Sequence, residues 1–251
     1  MKVATFNVWN HSKTWTIRKQ LIIEEISRID SDIIALQEVP NLQELEFILK
    51  QVEMDHYSFK HYPGDEEGLA ILSKFPVEAV RVPNDTINNC AIRITANIKG
   101  LTVGITNVHL TWRSAYEREK EIVEVIKWIS ESNHTDFELL CGDFNSAPHF
   151  SSVYNFLVGE RSIKSFDTSW IDLGQSLHEP TLDFVKNRWL HNRDGLNSIR
   201  VPVRYDWILL KSCYPKQEPS LTNIELFANK ITSSQEVLPS DHYGVLVDLS
   251  L

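Results

Sequence analysis

The sequence predicts an α/β (α+β) protein in which two mixed β-sheets pack together with helices outside. Three observations carry this expectation. Short apolar runs of strand length outnumber amphipathic helical stretches, the helical stretches are interspersed among them along the whole chain, and tight turn signals imply antiparallel pairs beside buried strands. The chain has 251 residues, 42% of them hydrophobic, enough for a sizeable core. No Pro/Gly/Ser-rich stretch or charge block marks a linker, so a single domain spanning 1–251 is expected.

In order along the chain, residues 2–9 read as a buried strand. Residues 14–30 read as a helix with Trp15, Ile22, Ile26 and Ile29 near one face. Ile33 to Leu36 is a short apolar run, the mark of a strand covered on both sides. Asn41 is a cap for a helix over 42–51. Gly68 to Leu72 is the next strand, closed by Lys74-Phe75-Pro76. Strands near 77–82, 91–98 and 101–109 follow, the last two joined by a Lys99-Gly100 turn. Ser114 caps a helix over 115–130, Phe137 to Cys141 is strand-like, and Ser151 or Ser152 starts a helix through Leu157. The segment 160–200 is the least regular, and late strands lie at 205–210 and 245–249.

Lysine plus arginine number 25 and aspartate plus glutamate 34, a net charge of −9. That balance argues against coating long duplexes by charge alone, although a bound cation or a local basic rim can offset it. Cys90, Cys141 and Cys213 are widely spaced without a CxxC pair, which indicates neither a disulfide framework nor a zinc knuckle. They are expected to be small buried residues in a reducing compartment. The first residues enter a strand at once and no long apolar run follows. The expectation is a cytoplasmic protein without membrane insertion, and no obligatory protein partner is inferred.

Five apolar runs end in polar groups: Thr5-Phe6-Asn7, Leu36-Gln37-Glu38, Val108-His109-Leu110, Gly142-Asp143-Phe144-Asn145 and Ser240-Asp241-His242. Carboxylates, carboxamides and imidazoles at such positions are paired or bind something, because their burial is otherwise costly. Carboxylates with a carboxamide, without clustered Cys or His, suit a hard cation such as Mg²⁺ or Mn²⁺. Glu38 is the first candidate ligand, with Asp241 and Asn7 to complete or orient the shell. Asp143 and Asn145 lie two apart, so in extended backbone both face one side. A carboxylate there can take a proton from water, and an amide can hold that water or a phosphoryl oxygen. His109 and His242 offer donors for developing charge or general acid/base work. Asp206 is the expected partner of His242, and Glu67 a weaker orienting partner for His109.

Together these motifs resemble the endonuclease/exonuclease/phosphatase superfamily of Mg²⁺-dependent hydrolases. Asn107-Val108-His109-Leu110 is similar to its central histidine motif, and GDFN and SDH to its late motifs. The likeness runs from residue 3 to residue 249. It implies a four-layer α/β/β/α sandwich with the site at one end of the paired sheets, and cleavage of a phosphoester by in-line attack of water. By matching position it implies Glu38 on Mg²⁺ (or Mn²⁺), with Asn7 and Asp241 near the ion. Asp143 would activate or align the water and Asn145 hold the phosphate. His242 with Asp206, and His109, would stabilise the phosphoryl charge or assist proton transfer. The stretch CGDFNSAPHFSSVYNFL resembles the deadenylase branch and many bacterial members. LPSDHYGVLVDL and HLTWRSAYERE look like tyrosyl-DNA phosphodiesterase 2. Tyr205-Asp206-Trp207 departs from the Cys-Asp-Arg of inositol phosphatases.

The expected activity is therefore a divalent-metal-dependent phosphodiesterase acting on a nucleic acid, nucleotide or other phosphorylated substrate. A phosphomonoesterase, a sphingomyelinase-like lipase and an inactive scaffold on the same fold are the rivals. Trp112 and Arg113 follow His109 closely and are candidates for the substrate-facing mouth, the first by stacking and the second by phosphate contact. Trp189, Arg193 and Arg204 are further candidates of this kind.

Overall fold

A computed structural model describes residues 1–132, 135–190, 201–211, 218–231 and 237–251. Among them, strands form two six-stranded sheets. The first holds β1 (Lys2–Asn7), β2 (Ile33–Val39), β3 (His56–His61), β4 (Gly68–Ser73), β11 (Ser220–Phe227) and β12 (Gly244–Ser250), in the order β11-β12-β1-β2-β4-β3. The second holds β5 (Val77–Ala79), β6 (Ala91–Ile98), β7 (Leu101–His109), β8 (Phe137–Asp143), β9 (Trp170–Asp172) and β10 (Asp206–Lys211), in the order β5-β6-β7-β8-β10-β9. Each sheet has one parallel pair, β1–β2 and β7–β8, inside otherwise antiparallel pairing. Both sheets are therefore mixed, as the sequence predicts.

The helices are α1 (Ser12–Ile29), α2 (Leu42–Leu49), α3 (Asp85–Cys90), α4 (Ala115–Glu131) and α5 (Ser152–Leu157). Three apolar cores separate four layers. Ile22, Ile26, Leu45 and Ile48 of α1 and α2 pack on Ala4, Phe6, Ile34 and Leu36 of the first sheet. Ile122, Val125 and Ile129 of α4 and Phe156 of α5 pack on Val108, Leu140 and Leu209 of the second. Between the sheets lie Val3, Ile33, Ile94, Ile105, Leu139, Ile208 and Val247, all at most 1% exposed. Truncating one of these isoleucines to alanine would cost about 2–5 kcal/mol, because a close-packed interior collapses only partly around the void.

Local chemistry fixes the element ends. Asn41, Ser114 and Ser151 each accept from a backbone N–H three residues on; the first two caps fall where the sequence places them, and Ser151 is the cap of the two serines it offers for the third helix. Lys99 and Gly100 both have positive φ (54° and 84°), the backbone of a tight turn matched to strand twist. The differences are mostly at edges. The strand read over 2–9 stops at Asn7, and the one read over 77–82 stops at Ala79. Strands β3, β9 and β11 and helix α3 carry no predicted element. β3 and β11 are edge strands, half-buried or exposed along most of their length, so they lack the apolar run that marks a covered strand. Cys90 and Cys141 are buried free thiols, as expected; Cys213 and Arg193 lie outside the described residues.

Candidate active site

Strand alternation explains why the polar residues meet. Val3 and Thr5, Ile105 and Asn107, Leu139 and Cys141, and Ile208 and Leu210 point between the sheets. Continuing each register by two residues brings Asn7, His109, Asp143 and Asp206 to the same inter-sheet face. Cα pairing sets His109 beside Asp143 across β7–β8 and Asp206 beside Asp143 across β8–β10. Four side chains thus reach one end of the sandwich. Beneath them a polar staple joins the sheets: Gln37 Nε2 donates to Asn107 Oδ1 at 2.7 Å, and Asn107 Nδ2 donates to the Leu36 and Ala70 carbonyls at 2.9 Å each.

Glu38 is the exception to alternation. Its neighbour Gln37 already occupies the inter-sheet face, so a regular strand would turn Glu38 outward. Instead Glu38 has φ 56° and the pairing with β4 slips between Leu36 and Val39. This bulge redirects the carboxylate inward. Asn7 Nδ2 then donates to both Glu38 Oε1 (3.0 Å) and Asp143 Oδ2 (3.1 Å), and the Asn10 backbone N–H donates to Glu38 Oε2 at 3.1 Å.

Asp143 Oδ2 is the hub. His109 Nε2 lies 3.7 Å away and His242 Nε2 3.8 Å away, beyond hydrogen-bond reach, while Asp143 Oδ1 accepts the Asn145 backbone N–H at 2.8 Å. His242 Nδ1 meets Asp206 Oδ2 at 2.9 Å, the pairing the sequence suggests. Asp241 is 1% exposed. Ser240 Oγ donates to the Asn7 carbonyl at 2.7 Å and lies 3.3 Å from Asp241 Oδ1, tying the Ser240–His242 turn to the end of β1. Asn145 sits at φ 46°, and its Nδ2 donates to the Leu110 carbonyl at 2.9 Å, which uses one of its two amide N–H groups.

The electrostatics follow from burial. Burial alone would raise the Glu38 carboxyl, but His109, Asn7, His242 and the Asn10 N–H together hold it below its ordinary value. Asp143 is pushed up, by burial first and by Asp206, against the pull of His242 and His109. Burial would lower His242, yet Asp206 and Asp143 outweigh it and carry the imidazole up to about 10. Two carboxylates and an imidazolium packed together share charge in this way.

Two expectations are corrected. Glu67 does not hydrogen-bond His109: Asn10 Nδ2 donates to Glu67 Oε2 at 2.7 Å, and the group on His109 Nδ1 is the Tyr62 hydroxyl at 2.8 Å. Glu67 comes from the β3–β4 hairpin end where Asn10 intervenes. Arg204 is 7% exposed and committed to an ion pair with Asp172, its Nη1 3.2 Å from Asp172 Oδ1, so it packs inside the fold. Trp189 Nε1 donates to the Leu238 carbonyl at 2.9 Å. Trp112 is 70% exposed with the Arg113 guanidinium 5.5 Å from its ring centroid, and no hydrogen bond joins either to the carboxylate cluster. Their loop is pinned by Arg118, which donates to the Thr111 and Trp112 carbonyls and, through Nε, to Ser146 Oγ at 3.1 Å.

Sequence reasoning also missed Asn10, Tyr62 and Arg18. Only Asn10, three residues past Asn7, carries a local signal. Arg18 is fully buried on α1 and donates to the carbonyls of Val8 (2.8 Å), Trp9 (2.6 Å) and Pro239 (2.8 Å) and to Thr14 Oγ1 (2.9 Å). It clamps the loop after Asn7 to the segment before Asp241.

The donor set suits a hard divalent ion. Glu38, whose side chain is 22% exposed, faces oxygen and amide groups rather than thiols, and the buried Asp206 Oδ1 has no hydrogen-bond partner. Asp143, Asp206 and His242 are close enough to share an ion, their ligand atoms lying within 4.8 Å of one another. Within that group His242 Nδ1 and Asp206 Oδ2 are already bonded to each other at 2.9 Å.

A model of the endonuclease/exonuclease/phosphatase family matches residues 4–242. The solved structure of D. rerio TDP2 complexed with single strand DNA product superposes with a TM-score of 0.79 at 16% identity, covering 100% of this chain and 99% of that one. Bacteroides thetaiotaomicron mannosyl-6-phosphatase Bt3783 superposes with a TM-score of 0.74 at 18% identity, covering 100% of both chains. Carbon catabolite repressor protein 4 homolog 3 of Arabidopsis thaliana is 28% identical over 194 residues, 66% of this chain and 41% of that protein. The chain spans about two thirds or less of the length of the curated relatives it matches, 66% and 41%. Among the described residues no helix is long and apolar enough to cross a membrane.

Proposed function

Because this chain belongs to the endonuclease/exonuclease/phosphatase family, whose members hydrolyse phosphoesters, we propose that it is an Mg²⁺- or Mn²⁺-dependent phosphodiesterase. The observation that carries this reading is the convergence on Asp143 Oδ2 of Asn7 Nδ2 (3.1 Å), His109 Nε2 (3.7 Å) and His242 Nε2 (3.8 Å), from both sheets and the last loop.

Glu38 would hold the ion, with Asn7 and Asp241 beside it. The ion supplies charge neutralisation for the phosphoryl oxygens and the leaving group. Asp143 aligns the attacking water and takes its proton; the raised affinity of its buried carboxylate for a proton suits that task. Asn145 offers its second amide N–H to a phosphoryl oxygen. His242, kept cationic by Asp206, places positive charge where negative charge develops, and His109 faces the same space. Trp112 is exposed with the Arg113 guanidinium against its ring; as a rim to the site the pair would suit a planar base beside a phosphate, which favours a nucleotide or single-stranded nucleic acid. A soluble cytoplasmic enzyme acting as one domain remains part of this reading.

A second reading, phosphomonoester hydrolysis, is favoured by the likeness to a mannosyl-6-phosphatase. Turnover of bis-p-nitrophenyl phosphate against p-nitrophenyl phosphate, each with Mg²⁺ and with EDTA, separates the two. The diesterase reading expects preferential diester cleavage that EDTA abolishes. Preference for the monoester would replace it with the phosphatase reading, and equal rates with chelator would reject metal dependence.

A further inference from the structure

We infer that the Tyr62 hydroxyl is a positioning group that fixes His109 as an Nε2–H donor, so that His109 gives a hydrogen bond to a phosphoryl oxygen and does not take a proton. The inference deepens the phosphoesterase reading and rests on it for the identity of that oxygen.

Two histidines flank Asp143 Oδ2, and their outer nitrogens meet opposite chemistry. His242 Nδ1 faces the Asp206 carboxylate at 2.9 Å, an acceptor that requires a proton on Nδ1. His109 Nδ1 faces the Tyr62 phenol at 2.8 Å. Burial, reinforced by the nearby Glu38, Glu67 and Asp143 carboxylates, pushes the phenol well above its ordinary value, so it keeps its proton. Among the described residues the phenol has no other hydrogen-bond partner, so we assign its proton to the bond with His109 Nδ1, where it occupies the lone pair and leaves the neutral ring's own proton on Nε2. A carboxylate in the same place would enforce the reverse tautomer and turn Nε2 into an acceptor.

The remaining geometry agrees. His109 Nε2 is 3.7 Å from Asp143 Oδ2 and 3.9 Å from Glu38 Oε1, so neither carboxylate consumes its N–H, which faces the space shared with His242 Nε2. The phenol is held by its hairpin: the Tyr62 N–H donates to the Glu67 carbonyl at 2.7 Å, the Asp65 N–H donates to the Tyr62 carbonyl at 3.1 Å, and Gly64 at φ 80° makes the turn. Glu67, the carboxylate that the sequence suggests for His109, is occupied by Asn10 Nδ2 at 2.7 Å. The hairpin of one sheet therefore sets the tautomer of a histidine on the other.

The test is Tyr62→Phe, which removes one oxygen and keeps the ring. Nitrogen-15 NMR of the metal-free protein, with His109 assigned through a His109→Gln spectrum, should report a protonated Nε2 and an unprotonated, hydrogen-bonded Nδ1 in the wild type. In Y62F that signature should be lost. With Mg²⁺ the variant should show kcat for the phosphodiester reduced about tenfold, the worth of one hydrogen bond of ~1.4 kcal/mol, with KM nearly unchanged. A wild-type His109 protonated on Nδ1, or a Y62F spectrum identical to wild type, would overturn the inference. Loss of turnover with an unaltered His109 signature would overturn it too, by assigning Tyr62 a packing role only. A wild type inert towards phosphoesters whose His109 signature still changes in Y62F would support the Tyr62 assignment and reject the phosphoesterase reading.

Discussion

His109 and Asp143 are register partners across the parallel β7–β8 pair, yet His109 Nε2 stops 3.7 Å short of Asp143 Oδ2. Neighbouring strands deliver the two side chains to the same spot without letting them neutralise each other. The backbone ladder provides the approach and leaves His109 Nε2, His242 Nε2 and Asp143 Oδ2, which accepts from Asn7 Nδ2, around one space, where the proposed reaction would place the phosphoryl group and its water.

Replacing Asp143 with asparagine keeps the shape and removes the proton acceptor. D143N should lower kcat for bis-p-nitrophenyl phosphate by about 10²–10⁴. The protein should stay folded with a modestly lower melting temperature, since the asparagine amide can accept from only one of the two donors, Asn7 Nδ2 and the Asn145 N–H, that the carboxylate serves. Kinetics beside a thermal melt check this; an unchanged kcat removes Asp143 from the reaction.

Glu38→Ala should abolish Mg²⁺ or Mn²⁺ binding measured by calorimetry while leaving the far-UV spectrum intact. Glu38 is the partly exposed carboxylate at the site, and alanine keeps the Cβ at the same φ of 56°, so the backbone strain there is unchanged. Undiminished affinity would place the ion on the Asp143–Asp206–His242 cluster.

Glu67 gives a pH signature in chelator. Burial first, then Glu38, raises its carboxyl from 4.5 to about 7. Between those values the folded protein binds more protons than the unfolded one, so this group's contribution to stability falls as pH rises through that window. Urea midpoints of wild type and Glu67→Gln, compared from pH 4.5 to 7.5, should diverge with wild type losing ground at the upper end. Parallel curves would show that Glu67 titrates normally.

Arg18→Met should destabilise the fold by about 2–4 kcal/mol, because the Val8, Trp9 and Pro239 carbonyls lose a buried donor together. Denaturant melts read this directly. A loss under 0.5 kcal/mol, the range of an ordinary surface change, would mean that water replaces the clamp.

Much of this arrangement is legible in the sequence because it rests on local rules. Alternation alone brings Asn7, His109, Asp143 and Asp206 to the ends of apolar runs, and Asn41, Ser114 and Ser151 announce their helices. Features that depend on a partner far along the chain are not legible. Glu38 is marked as a ligand candidate by its motif, but its route into the site, a bulge against β4, is hidden from period-two reasoning, which would turn it away. Tyr62 and His109 are separated by 47 residues and lie on different sheets, so no spacing announces their bond. Glu67 is the natural sequence-based partner for His109, but Asn10 reaches it first. The edge strands β3 and β11 gain their identity from pairing rather than from composition.

The most direct test of the central claim is an anomalous difference map from crystals soaked with Mn²⁺ and a non-hydrolysable phosphodiester analogue. One peak is expected, bonded to a Glu38 carboxylate oxygen, with the phosphorus between it and Asp143 and within reach of His109 and His242. A map with the metal and the phosphate lodged away from Glu38 and Asp143 would contradict it.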